Sequence, residues 1–132
     1  MAGGEFHAQD LGEHRWVLSA QGEVDLSTTP SPRAVIEAVM DTGTRVVVDV
    51  SAAEFIDSTT VNALVYGHQR AAEDACHAFV IVAAPGSAAR RLLDLLSIVE
   101  VIPLYDSLAE GERAAFNGTA QRTPSGSIDP LR

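Results

Sequence analysis

Val46-Val47-Val48-Asp49-Val50 is the run that most limits the folds open to this chain. Branching at Cβ suits an extended strand and crowds a helix. An apolar run without polar alternation fits a strand covered on both faces. Phe79-Val80-Ile81-Val82 repeats the pattern, and the chain between the two runs carries Val61, Leu64, Val65, Ala72 and Ala75 at helical spacing. Val46 to Val80 is about the length of one strand–helix–strand crossover, so these strands are expected to be parallel.

The flanking segments extend this core. Glu5 to Ala8 and Arg15 to Ala20 read as short strands joined by a turn at Asp10-Leu11-Gly12-Glu13, and Gly22 to Leu26 reads as a loop. Thr29 before Pro30 is a helix-start signal, Val35, Ile36, Val39 and Met40 mark its inward stripe, and Gly43 is the expected stop. Gly86 or Ser87 should open a further helix with Leu92, Leu95 and Leu96 inward. Val99 to Ile102 is expected as a short last strand, and Ser107 to Phe116 as a final helix. The order is β-β-α-β-α-β-α-β-α, which predicts an α/β fold: a mixed, mostly parallel sheet with an antiparallel N-terminal strand and about four helices. One domain over residues 1–117 is expected, with a disordered tail over 118–132, where no periodic apolar pattern occurs.

Composition narrows the functional classes. With 18 acidic against 9 basic residues the net charge is -9, which disfavours nucleic acid and anionic membrane surfaces as partners. No apolar run approaches the ~20 residues needed to span a bilayer, and the start shows no signal-peptide pattern. The single cysteine, Cys76, suits a reducing cytoplasm.

The segment that can carry chemistry is Phe55-Ile56-Asp57-Ser58-Thr59-Thr60, at the junction of the third strand and second helix. Free N–H groups and the positive end of the dipole favour an anion at such a helix start. A hydroxyl there has two uses: capping, worth about 1 kcal/mol, or phosphoryl acceptance, which adds roughly -1.5 to -2 charges and alters an interface. Local physics favours the cap and leaves both uses open.

Val46-Val47-Val48-Asp49-Val50-Ser51 followed by Phe55-Ile56-Asp57-Ser58-Thr59 resembles the signature of the STAS domain family, whose soluble bacterial members include the anti-sigma factor antagonists. Gly22-Glu23-Val24-Asp25 is similar to the family's loop before the first helix, and the resemblance runs roughly from Phe6 to Phe116. It implies that Ser58 is the phosphorylated serine and that Glu23, Asp25, Asp57, Ser58, Thr59 and Thr60 form the partner-facing end; the neighbouring hydroxyls leave Thr59, or Thr60, as a minor acceptor. The implied partners are a kinase-type anti-sigma factor, which binds the unphosphorylated form and uses its own ATP, and a metal-dependent serine phosphatase. The protein itself would be a non-enzymatic module without a cofactor. Thr60 stands where the family usually has glycine, which should place a methyl and a hydroxyl on the partner surface and alter partner choice or phosphorylation. A STAS-type subunit of a lipid-transport ATPase complex, or a signalling scaffold, is the alternative.

Other residues point to ordinary roles. His7, His14, His68 and His77 lack metal-ligand spacing with Cys76, so no metal is expected. Ala84-Pro85-Gly86-Ser87 lacks the lysine of a phosphate-binding loop. Ser58 lacks the glycine flanks of a hydrolase nucleophile, and Asp57 with Asp25 lacks a matched base. Arg90-Arg91 reads as solvated helix surface, and the oligomeric state stays open.

Overall fold

The computed structural model describes residues 3–40, 44–73 and 78–117. Five strands, β1 (Glu5–Asp10), β2 (Arg15–Val24), β3 (Arg45–Ile56), β4 (Ala78–Val82) and β5 (Leu104–Tyr105), form one sheet in the order β1-β2-β3-β4-β5. The β1–β2 pair is antiparallel and the other pairs are parallel. Four helices, α1 (Pro32–Val39), α2 (Ser58–Ala72), α3 (Ala88–Leu95) and α4 (Leu108–Phe116), complete the expected order.

The valine run works because both faces of β3 are covered. Val46, Val48 and Val50 join the core beneath α1, α2 and α3, with Ile36, Leu64 and Leu93. Val47 points the other way, into the smaller cluster with Val80, Val82 and Ala115 of α4. Burying each such side chain contributes roughly 1.5–3 kcal/mol. Gly67 lets α2 lie close on β4, since a Cβ there would sit 2.4 Å from the Phe79 ring.

Several boundaries differ from the sequence reading. β1 runs on to Asp10, β2 to Val24 and β3 to Ile56, so Gly22 to Val24 is strand, not loop. Gly22 has φ +69°, and register shifts at Ser19/Gln21 and Gly22/Glu23 break the alternation that would have marked the strand. Ala52-Ala53-Glu54 has weak strand propensity, yet pairing with β2 carries the ladder through it. α1 starts later than Thr29-Pro30: Ser31 is the cap and Pro32 opens the helix. Its expected stop, Gly43, and the inward Ala75 lie outside the described residues. In α2 the inward alanines are Ala63 and Ala71, and Ala72 is exposed.

The largest correction concerns α3. Leu95 and Leu96 are 82% and 50% exposed, while Ala89 and Leu93 face the core and Leu92 is half-buried. The i, i+4 pair Ala89/Leu93 sets the phase, and a small alanine is a weak marker in a leucine-rich segment. Ser97, at φ 54°, ends the helix, and a 3-10 turn over Ile98–Glu100 follows. Ile98 and Ile102 point inward from this turn, so Val99 to Ile102 is not a strand. The last strand comes after Pro103, where Ile81 N donates to the Pro103 carbonyl at 2.9 Å.

Candidate functional site

Val24 pairs with Ile56, so the ends of β2 and β3 deliver the β2–α1 loop and the start of α2 to one place. Beyond Ile56 the chain stays extended for one residue, Asp57, at φ -104° and ψ 179°. Its carboxylate caps α2: Oδ1 accepts from Thr60 N at 2.9 Å and from the Thr60 hydroxyl at 3.0 Å. Ser58 is then the first helical residue, exposed like Thr59. The other three helices use a serine as cap: Ser31, Ser87 and Ser107 accept from Ala34 N, Arg90 N and Glu110 N. At α2 an aspartate has taken that role, and the Ser58 hydroxyl has no hydrogen-bond partner among the described residues. Asp57, and not Ser58, is therefore the cap of α2.

Thr60 departs from the expectation of a surface residue. It is fully buried, and its hydroxyl, besides contacting Asp57, lies 3.4 Å from the Val24 carbonyl oxygen. The reason is helical phase: Thr60, Leu64, Gly67 and Ala71 form one buried stripe of α2. Its side chain therefore braces the site from beneath and offers nothing to a partner.

In the neighbouring loop, Asp25 Oδ1 accepts from Ser27 N at 2.9 Å and from the Ser27 hydroxyl at 2.7 Å, and Asp25 N donates to the Thr28 hydroxyl oxygen at 2.9 Å. The Ser27 hydroxyl, and after it the Ser27 N–H, hold the Asp25 carboxyl below its ordinary value. Glu23 is exposed and pairs in register with Phe55. Among the described residues no ion pair involves Glu23, Asp25, Glu54 or Asp57, so this end carries uncompensated negative charge.

Two residues that the sequence reading did not single out for contact belong to this end. Leu26 is 78% exposed and Phe55 51% exposed. Phe55 was legible once Ile56 was taken as inward, because successive strand residues face opposite ways. Leu26, in an irregular loop, carries no periodic signal.

The residues set aside behave as ordinary structure. Arg90 donates to Asp94, Asp106 and the Ala83 carbonyl, and Arg91 to the Gly86 carbonyl, so both guanidinium groups are engaged in holding the start of α3. Gly86, at φ +84°, turns the chain into Ser87, the α3 cap. Among the described residues no group of three or more His, Cys, Asp or Glu could hold a metal, and no helix is long and apolar enough to cross a membrane. Cys76 and His77 lie outside the described residues.

The chain is similar to known proteins in sequence and in fold. The anti-sigma-F factor antagonist RsfB of Mycobacterium tuberculosis is 30% identical over 107 residues, covering 80% of this chain and 85% of that protein. The crystal structure of an anti-sigma factor antagonist from Mycobacterium paratuberculosis superposes with a TM-score of 0.71 at 25% identity, covering 86% of this chain and 94% of the other. A STAS domain protein from Planctomyces limnophilus shares the fold, with a TM-score of 0.68 at 20% identity over 85% of this chain and 98% of its own. The sequence model of the STAS domain matches residues 8–111, and the chain belongs to the STAS domain family.

Proposed function

We propose that this protein is an anti-sigma factor antagonist whose affinity for a kinase-type anti-sigma factor is set by phosphorylation of Ser58. The observation that carries the reading is the division of labour at α2: Asp57 caps the helix, and the Ser58 hydroxyl beside it is exposed and without a partner among the described residues. The antagonist names of the mycobacterial relatives support the choice of partner.

In the unphosphorylated state, Leu26 and Phe55 offer apolar contact inside an acidic surround of Glu23, Glu54, Asp25 and Asp57. The complementary partner surface is apolar with cationic groups at its rim. The partner brings its own ATP and transfers the γ-phosphoryl group to Ser58; Thr59, also exposed, is the minor acceptor. Phosphate adds roughly -1.5 to -2 charges beside the Asp57 carboxylate. The first N–H groups of α2 and its dipole tolerate that charge, so the domain stays folded while the contact surface is altered. A metal-dependent serine phosphatase restores the binding form. On this reading the protein is a substrate and a binding module, with no cofactor of its own and a cytoplasmic place of work.

Titration calorimetry with a kinase-type anti-sigma factor tests the proposal. Ser58→Ala should bind as the parent protein does, and Ser58→Asp should bind at least tenfold more weakly, a loss of about 1.4 kcal/mol. Equal affinity of the two variants sinks the switch.

A further inference from the structure

We infer that Thr60 couples the charge at Ser58 to the loop carrying Asp25, by acting as a hydrogen-bond donor with two alternative acceptors. The inference rests on the reading that Ser58 carries phosphate. The Thr60 side chain is fully buried, so its hydroxyl must be satisfied from within the protein. One hydroxyl proton faces two acceptors, Asp57 Oδ1 at 3.0 Å and the Val24 carbonyl oxygen at 3.4 Å. The shorter bond to the charged oxygen holds the proton in the unmodified protein.

Val24 immediately precedes Asp25, whose own N–H and carboxylate order the turn through Thr28 and Ser27. Phosphate on Ser58 repels the adjacent Asp57 carboxylate, and movement of Oδ1 away from Thr60 frees the hydroxyl for the Val24 oxygen. The end of β2 then gains a tie to α2 that the unmodified protein has only weakly. A modification on one side of the contact surface is thereby reported to the acidic loop on the other.

The test uses the full chain with phosphoserine installed at position 58 during synthesis, compared with the unmodified chain by amide hydrogen exchange at Asp25, Ser27 and Thr28. In the parent and in Thr60→Ser, which keeps the hydroxyl, phosphoserine should change protection at these amides by about fivefold, the worth of one ordinary hydrogen bond. In Thr60→Val, which keeps the shape and removes the donor, the loop should not respond. An equal response in Thr60→Val means that the phosphate acts through space and overturns the coupling; no response in the parent overturns it as well. Should Thr60→Val fail to fold, Asp57→Asn decides: it removes the charge that phosphate repels, and a parent-like loop response there overturns the inference. Because the phosphate is installed in synthesis, a failure of any kinase to modify Ser58 would defeat the proposed function and leave this result standing.

Discussion

The starts of α2 and α3 follow neighbouring parallel strands, and each brings a serine to the head of a helix, yet the two serines do opposite things. Ser87 turns its hydroxyl inward to accept from Arg90 N, and the arginines behind it clamp the loop through Ala83, Gly86 and Asp106. Ser58 sits one place further on, after Asp57 has taken the cap, and its hydroxyl faces out. The same residue type is structural at one head and available at the other, and a shift of one position separates them. The helices behind these heads also differ. α2 spans 15 residues and packs against α1 and β4, while α3 spans 8, packs against β3 and leads to a two-residue strand, leaving Leu95, Leu96, Val99 and Val101 exposed.

Core truncation should separate the two helices most widely. Leu64→Ala, in the fully buried stripe of α2, should cost about 2–5 kcal/mol in urea unfolding, whereas Leu95→Ala at the open end of α3 should stay within ~0.5 kcal/mol. Comparable losses at the two sites would mean that the exposed leucine is covered in solution.

The caps give a smaller and sharper contrast. Asp57→Ala and Ser87→Ala should each destabilise by about 1 kcal/mol, and Ser58→Ala should change stability by less than ~0.5 kcal/mol. A Ser58→Ala loss equal to that of Ser87→Ala would return Ser58 to a capping role and remove the contrast.

The smallest expected effect is in the pH dependence of α2 packing. Burial pushes the His68 imidazole below its ordinary 6.5, opposed in part by the nearby Phe79 backbone, and Nδ1 is buried with no hydrogen-bond partner among the described residues. With the folded value lowered, the unfolded chain takes up the proton first. The His68 contribution is therefore complete above about pH 6.5 and is lost as pH falls from there toward the folded value. Thermal midpoints measured between pH 7.5 and pH 5 should fall less in His68→Leu than in the parent; parallel slopes would show that His68 is not the titrating group.

Much of the fold was legible because its central strands are apolar on both sides. Val46 to Val50 and Phe79 to Val82 could be neither surface nor helix, and the crossover length made them parallel. What escaped was set by tertiary pairing. Ala52-Ala53-Glu54 extends β3 only because β2 runs beside it, and the bulges near Gly22 hide the end of β2. At the site, the grouping of Asp57, Ser58, Asp25 and Glu23 was readable, but the identity of the cap was not, since Asp, Ser and Thr all cap well. The burial of Thr60 did have a signal, its spacing of four from Leu64, which was outweighed by reading Thr60 as part of a hydroxyl surface.

The most direct measurement is intact-mass analysis with phosphosite mapping after incubation with a kinase-type anti-sigma factor and ATP. The account predicts one phosphoryl group on the parent protein, mapped to Ser58, its loss in Ser58→Ala, and its retention in Ser87→Ala. A parent protein that gains no phosphate, or a Ser58→Ala variant that gains it undiminished, would contradict the assignment of Ser58 as the switch.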